Sequence, residues 1–231
     1  MTIAEMNQTL LTCRRCPRLV AWREQVAREK RKAYRDQEYW GKPVPGFGDP
    51  QARVFVIGLA PGAHGSNRTG RQFTGDASGN FLYPALYRAG FANQPDSASR
   101  DDGLVLADLY TAPVCRCAPP DNKPTTDEMT NCQPYLENEL RLIQPKVIVA
   151  LGRIAFESVL RIYSPEKKDE RRKKSALSSF VFAHNAVYRL GETGPWLVCS
   201  YHPSQQNTLT GKLTVEMFDA MWQKVRELLE G

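Results

Sequence analysis

The sequence has no long hydrophobic run. No stretch approaches the roughly 20 apolar residues that a membrane-spanning helix needs, and the amino terminus does not have the apolar region of a secretory signal peptide. Internal repeats, low-complexity tracts and marked domain boundaries are absent as well. These absences predict a cytoplasmic protein with no membrane partner, folded as a single domain over residues 1–231.

Two common phosphate-binding patterns are also missing. The glycine-rich stretch at residues 58–75 contains neither GxxxxGK[ST], the phosphate-binding loop, nor GxGxxG, the dinucleotide fingerprint. Neither of those two nucleotide-binding modes is therefore predicted for this chain.

The composition is that of a globular protein with a modest positive charge. Hydrophobic residues make up 42% of the chain, which is enough for a packed core. Lysine and arginine number 31 against 25 acidic residues, giving a net charge of +6. This excess is compatible with a polyanionic partner and equally with an ordinary basic soluble protein.

Short apolar runs alternate with helical patterns along the chain. The apolar runs predict strands at residues 54–57, 103–110, 146–151 and 196–199. Apolar residues at helical spacing predict helices at residues 18–39, 78–89, 125–142, 153–163 and 215–229. This alternation predicts an α/β protein, a three-layer α/β/α fold around a central, mostly parallel four-stranded sheet. Two further segments are an additional strand at 180–190 and a hydrophilic, solvated loop at 165–179.

Cysteine is the residue type with the most specific spacing. In a reducing cytoplasm, six cysteines are expected to be metal ligands, core residues or catalytic groups and not disulfides. Cys13 and Cys16 form a C-x₂-C pair, which lets two thiolates bind one metal ion or cluster. The candidates for the remaining ligands are Cys115, Cys117, Cys132 and Cys199. Cys199 lies in an apolar run and is interpreted as a buried thiol. Spacing alone does not separate zinc from an iron–sulfur cluster.

The stretch at residues 54–76, VFVIGLAPGAHGSNRTGRQFTGD, joins a predicted strand to a glycine-studded loop. In open α/β sheets, ligands bind beyond the carboxyl ends of the strands. The loop carries His64, Phe73 and Asp76, which can donate a hydrogen bond, stack on a planar ligand and stabilise positive charge. A second strand exit, after residues 196–199, presents His202. We therefore predict one site at one edge of the sheet; the alternative is a long connection in which Asp76 only caps a helix.

Four motifs together resemble the family 5 (type B) uracil-DNA glycosylases. They are CRRC at 13–16, GLAPGAHGSNRTGRQFTGDASG at 58–79, RCAPPDNKPT at 116–125 and HPSQQNTLTGKLT at 202–214. The resemblance covers nearly the whole chain. It implies a monofunctional DNA glycosylase of base-excision repair that hydrolyses the N-glycosidic bond of uracil, hypoxanthine and xanthine. It also implies a monomer whose partners are double- and single-stranded DNA.

The resemblance also assigns roles to individual residues. Asp76 and His202 are the implied catalytic residues. The implied base pocket consists of Gly58, Ala60, Pro61, Gly62, His64, Phe73 and Asn122. The implied DNA-binding residues are Ser204, Gln205, Gln206, Asn207, Leu209, Thr210, Gly211 and Lys212. The family's [4Fe–4S] cluster maps onto Cys13, Cys16, Cys117 and Cys132, with Cys115 as a substitute for Cys117 and the N-terminal helical segment 1–40 as the cluster-binding part.

Two other hypotheses remain open at this point. One is a family 4-like enzyme restricted to uracil; Ala63, His64 and Ala112, the last at the expected base-reading position, argue against it. The other is a non-catalytic, cluster-bearing nucleic-acid-binding protein in which Asp76 and His202 are structural. Excision of both uracil and hypoxanthine would favour the family 5 enzyme, excision of uracil alone the family 4-like enzyme, and excision of neither base the binding protein.

Overall fold

The computed structural model describes residues 2–163 and 179–231. The hydrophilic segment predicted as a solvated loop at 165–179 lies outside the described residues except for Ser179. None of the described helices is both long enough and apolar enough to cross a membrane.

The described residues form one sheet of six strands in the order β1-β3-β2-β4-β6-β5. The strands are β1 (Phe47–Gly48), β2 (Val54–Gly58), β3 (Leu109–Pro113), β4 (Val147–Leu151), β5 (Val187–Arg189) and β6 (Trp196–Ser200). The four central strands are parallel, and the short edge strands β1 and β5 pair antiparallel with β3 and β6. The predicted four-stranded parallel sheet is thus the centre of a mixed sheet. The candidate strand at 180–190 is present but shorter: only Val187–Arg189 form β5.

Helices cover both faces of the sheet. They are α1 (Ile3–Leu11), α2 (Pro17–Glu29), α3 (Ser66–Thr69), α4 (Ala77–Arg88), α5 (Thr126–Ile143), α6 (Arg153–Tyr163), α7 (Gln205–Leu209) and α8 (Val215–Glu230). Alternate residues of the central strands point to opposite faces: Val54 and Val56 pack against α4 and α8, whereas Phe55 and Ile57 pack against α5 and α6. Each fully buried aliphatic or phenyl side chain stabilises this arrangement by roughly 1.5–3 kcal/mol. The three-layer α/β/α prediction is confirmed.

Two predicted elements have different bounds in the structure. The helix expected at 18–39 ends at Glu29, because Lys30 adopts a left-handed backbone conformation with φ of 54°. The strand expected at 103–110 is instead β3, at Leu109–Pro113. Asp108, with φ of 58°, separates β3 from residues 103–107, where Val105 is 59% exposed.

The N-terminal helices are attached to the body of the fold through the cysteine-containing segments. In α1, Met6 and Leu10 pack on Tyr135 of α5. In α2, Leu19 packs between Cys16 and Cys117. The predicted N-terminal helical segment is therefore joined to the rest of the chain where the cysteines lie.

Candidate active site

A cleft of about 920 Å³ lies at the carboxyl ends of the parallel strands. The loops that follow β2, β3 and β6 all contribute to it, as the sheet topology requires. The predicted site residues that line this cleft are Ala60, Gly62, His64, Phe73, Asp76, Asn122, His202, Ser204, Gln205, Gln206 and Asn207. The structure thus brings the motif at 58–79 and the motif at 202–214 into one site, although more than 120 residues separate them in the sequence.

Asp76 is both a helix cap and a residue of the cleft. One carboxylate oxygen accepts a hydrogen bond from the Gly79 N–H at 3.0 Å, which caps the amino terminus of α4. The other oxygen lies against the loop after β2: a Cβ atom added to Gly65 would come within 2.0 Å of it. Burial raises the pKa of Asp76, and N–H donors at the helix start oppose that rise. The cap predicted as an alternative role is present, and it leaves one oxygen for other contacts.

The phenyl ring of Phe73 lies beside the imidazole of His202 in the cleft. The two ring centroids lie 6.1 Å apart. A Cβ atom added to Gly58 would lie 2.8 Å from the Phe73 ring, so the glycine leaves the space that the ring occupies. Phe73 has a left-handed φ of 51° and is 7% exposed. Gly58 therefore leaves room for the Phe73 ring in the pocket. Pro61, in the same loop, is buried.

His202 is held in the cleft in its neutral form. Burial lowers the pKa of its imidazole to about 4. Its backbone carbonyl accepts hydrogen bonds from the Ser204 N–H and from the Asn207 amide, both at 2.8 Å. These contacts fix the residue at the exit of β6. A neutral imidazole still has one N–H and can donate a hydrogen bond from this position.

The lowered pKa of His202 predicts a loss of folding stability in acid. The imidazole takes up a proton near pH 6.5 when the chain is unfolded but only near pH 4 when it is folded. The free energy of unfolding should be unaffected by this residue above pH 6.5 and should fall as the pH drops from 6.5 to 4. We expect urea denaturation of the wild type and of His202→Gln to show a stability difference that changes across this window. A difference that is constant from pH 4 to 8 would contradict the assignment.

His64 is oriented by a tyrosine that the sequence did not single out as a site residue. Its Nδ1 atom lies 3.0 Å from the Tyr39 hydroxyl. Its backbone carbonyl accepts a hydrogen bond from Arg68 Nε at 2.7 Å. Burial, together with the charges of Arg31 and Arg68, lowers the pKa of His64. Asn122 lies across the cleft in a left-handed turn and is exposed.

The last motif forms a short helix and an exposed turn. Ser204, Gln205, Gln206 and Asn207 line the cleft, whereas the residues after them lie beyond it. Leu209 is 82% exposed. The Thr210 hydroxyl donates back to the Gln206 carbonyl at 2.6 Å, Gly211 has a φ of 70°, and the Lys212 ammonium lies 4.9 Å from the centre of the Tyr201 ring.

Of the cleft residues that the sequence did not single out, two carry buried donor groups. Trp22, interpreted as part of the apolar stripe of α2, and Gln72, adjacent to Phe73, both line the cleft. Within residues 2–163 and 179–231, neither Trp22 Nε1 nor Gln72 Nε2 has a hydrogen-bond partner, although both atoms are buried. Buried donors without acceptors are uncommon in folded proteins. Only burial distinguishes these two residues from other aromatic and polar residues of the chain, and burial cannot be read from the sequence.

Four of the cysteines line a second cavity, separate from the cleft. Cys13, Cys16, Cys117 and Cys132 line it, and all six cysteines of the chain are free thiols. N–H groups point at the sulfur atoms: Arg23 Nη1 lies 2.8 Å from the Cys117 sulfur, and Asn131 Nδ2 lies 3.6 Å from that of Cys16. Over the described ranges, no three His, Cys, Asp or Glu side chains are close enough to hold a single metal ion.

Helix α2 connects this cysteine cavity to the cleft. The guanidinium of Arg23 is 2% exposed and faces Cys117. The Arg23 backbone carbonyl accepts a hydrogen bond at 3.2 Å from the amide of Asn67, which lies in α3, the short helix that follows β2. The adjacent residue, Trp22, lines the cleft. One helix therefore contacts both regions through consecutive residues.

Comparison with known proteins agrees with this geometry. Residues 45–226 match the uracil DNA glycosylase superfamily. The chain is 52% identical to the type-5 uracil-DNA glycosylase of Thermus thermophilus, covering 96% of this chain and 95% of that protein. Its identity to the type-5 enzyme of Mycobacterium leprae is 49%, over 98% of this chain and 96% of the relative. For the type-5 enzyme of Pyrobaculum aerophilum the identity is 45%, over 90% and 84%. Similarity of this extent across nearly the whole chain shows that the protein belongs to the type-5 uracil-DNA glycosylases of the uracil DNA glycosylase superfamily.

Proposed function

We propose that this protein is a monofunctional DNA glycosylase that removes uracil, hypoxanthine and xanthine from DNA during base-excision repair. The observation that carries the proposal is the meeting of Asp76, Phe73 and His202 in one cleft. We further propose that it acts as a monomer in the cytoplasm, on double- and single-stranded DNA.

The three residues suit the hydrolysis of an N-glycosidic bond. The base must first leave the helical stack, because its glycosidic bond is inaccessible inside a duplex. Phe73 then stacks on the flipped base. As water adds to the sugar, the bond to the base breaks and the base leaves with the electron pair. The neutral His202 donates a hydrogen bond to a carbonyl oxygen of the departing base, and the carboxylate of Asp76 stabilises the positive charge on the sugar.

The cleft favours simple hydrolysis over a lyase reaction. A lyase needs an amine that forms a Schiff base with the sugar. The described residues that line the cleft include no lysine. Lys212 of the last motif lies against Tyr201, beyond the cleft. The expected product is an intact strand with an abasic site.

Leu209 suits the role of filling the gap left by the flipped base. The residues of the last motif that could fill this gap are Gln205, Gln206, Asn207 and Leu209. Asn207 donates a hydrogen bond to the His202 carbonyl, and Gln205 and Gln206 lie in the cleft. Leu209 is the apolar residue that projects into solvent. Apolar side chains of this kind insert between base steps in other DNA-binding proteins.

Leu209→Ala should therefore impair excision from duplex DNA more than from single strands. We expect about a tenfold loss on a uracil-containing duplex, which is about 1.4 kcal/mol and thus part of the few kcal/mol that unstacking costs, and little change on a single strand. Val181→Ala, which truncates a side chain that is 65% exposed, is the matched control. An equal loss on both substrates, with unchanged melting temperature, would show that Leu209 does not act as a wedge.

We propose that Cys13, Cys16, Cys117 and Cys132 hold a [4Fe–4S] cluster. Four thiols around one cavity provide the donor set that such a cluster requires. The N–H groups of Arg23 and Asn131 are positioned to stabilise thiolate charge. When bound, the cluster would tether α1 and α2 to the core, and no step of base excision passes through it.

The proposed function is tested by excision from oligonucleotides that carry uracil, hypoxanthine or xanthine, with abasic products cleaved by alkali. Cleavage at all three bases, in duplex and in single strand, is the expected result. Cleavage at uracil alone would restrict the enzyme to that base. No cleavage by folded, cluster-containing protein would instead support a DNA-binding role without catalysis.

A further inference from the structure

Gln72 lines the cleft, and the buried nitrogen of its side-chain amide has no partner among the described residues. The residue is 2% exposed, and it lines the same cleft as Phe73 and His202. Its Nε2 atom is buried, with no acceptor in the part of the chain that the structure describes. Leaving such a donor unpaired costs free energy, which a ligand carbonyl in the cleft would recover.

The backbone of Gln72 is held in place before any ligand binds. Its carbonyl accepts hydrogen bonds from the Tyr83 hydroxyl at 2.7 Å and from the Thr74 hydroxyl at 3.1 Å. The preceding residue, Arg71, forms two hydrogen bonds of 2.7 Å to the carboxylate of Asp102. The amide is therefore attached to a fixed point of the loop that also positions Phe73.

Among the described residues that line the cleft, Trp22 also has a buried donor without a partner, but its chemistry is less specific. An indole offers a single N–H, which suits any nearby acceptor. A glutamine amide offers a donor and an acceptor in one plane. Uracil, hypoxanthine and xanthine all present the complementary edge, a carbonyl oxygen next to a ring N–H. The amide of Gln72 thus matches the feature that the deaminated bases share.

We propose that Gln72 is a base-reading residue whose Nε2 donates a hydrogen bond to the Watson–Crick-edge carbonyl of the flipped base. This oxygen is O4 of uracil and O6 of hypoxanthine and xanthine. The inference rests on the proposed function, because it requires a flipped base in the cleft. It assigns to Gln72 a contact on the side of the base away from the sugar, separate from the roles of Asp76 and His202.

The test compares Gln72→Met with the wild type on three duplexes that differ only at the lesion. The first carries uracil, the second carries 2-pyrimidinone, which lacks both O4 and the N3 hydrogen of uracil, and the third carries a tetrahydrofuran abasic analogue. A 2′-fluorine on the first two sugars prevents cleavage, so that Kd is measured directly. We expect Gln72→Met to weaken binding of the uracil duplex about tenfold, as for a lost hydrogen bond in a site built for it. Binding of the other two duplexes should not change.

Each outcome has a distinct meaning. An equal loss on the uracil and pyrimidinone duplexes would overturn the contact with O4, and so would undiminished binding of the uracil duplex. Gln72→Glu, which keeps the length of the side chain but replaces the donor with a negative charge, should weaken uracil binding more than Gln72→Met does. Excision of uracil from an ordinary duplex by the wild type is measured first. If the wild type does not excise uracil, the proposed function itself is wrong. If the wild type excises uracil but the variants do not show the expected changes in binding, only the role of Gln72 is wrong.

Discussion

Replacing Asp76 with asparagine should lower the rate of uracil excision by at least about tenfold, because a neutral amide no longer stabilises the cationic sugar of the transition state. Asparagine caps helices about as well as aspartate, so the hydrogen bond to the Gly79 N–H should survive. We therefore expect an unchanged melting temperature. Single-turnover excision and thermal denaturation of the same preparation measure the two effects.

Asp76→Ala provides the matched comparison, since it removes the cap as well as the charge. Loss of a cap costs about 1 kcal/mol, so this variant should melt at a lower temperature than Asp76→Asn. Wild-type activity in Asp76→Asn would show that Asp76 serves only α4. The pKa of Asp76 is raised by burial, so the excision rate should also fall as the pH drops through this raised value and protonates the carboxylate.

A second large effect is expected at the cysteine cavity. Cys117→Ser should lose the visible absorbance of an iron–sulfur cluster together with most of the soluble protein, because a proposed ligand is removed from a set of four. Cys115→Ser is the control, since Cys115 is fully buried but lies outside the cavity lining. Absorbance spectra and iron content of the two purified variants decide the outcome.

The comparison also discriminates between the two cysteines of the RCAPP region. Retained absorbance in Cys117→Ser with loss in Cys115→Ser would make Cys115 the ligand. A stable, active and colourless Cys117→Ser protein would disprove a structural cluster. Zinc without iron in the purified wild-type protein would show that the cysteines hold a zinc ion and not an iron–sulfur cluster.

The sequence was most informative where apolar patterning and local chemistry agree. The apolar runs that became β2, β4 and β6 are buried, as predicted, because parallel central strands are covered on both faces. The cleft lies at the predicted edge of the sheet, because two glycine- and histidine-bearing strand exits fall at one edge of such a sheet. The start of β3 was misplaced, since an apolar run does not reveal the left-handed turn at Asp108.

The residues that the sequence did not identify as part of the site were missed for one physical reason. Trp22 has the spacing of a core residue, yet one side of α2 borders the cleft instead of the sheet. Tyr39 was interpreted as packing, whereas its hydroxyl holds His64. Gln72 is a polar residue in a loop, and only the folded structure shows that its amide is enclosed. In each case tertiary placement, and not residue type, determines the role.

Helix α2 makes the two regions that it contacts thermodynamically dependent on each other. Trp22 borders the cleft while Arg23, the next residue, faces the sulfur of Cys117 and is linked through Asn67 to α3, the short helix after β2. A ligand that fixes this helix at either region reduces the conformational freedom that must be lost at the other. By reciprocity, DNA that fills the cleft should strengthen the binding of whatever the cysteines hold by the same factor by which this occupant strengthens DNA binding.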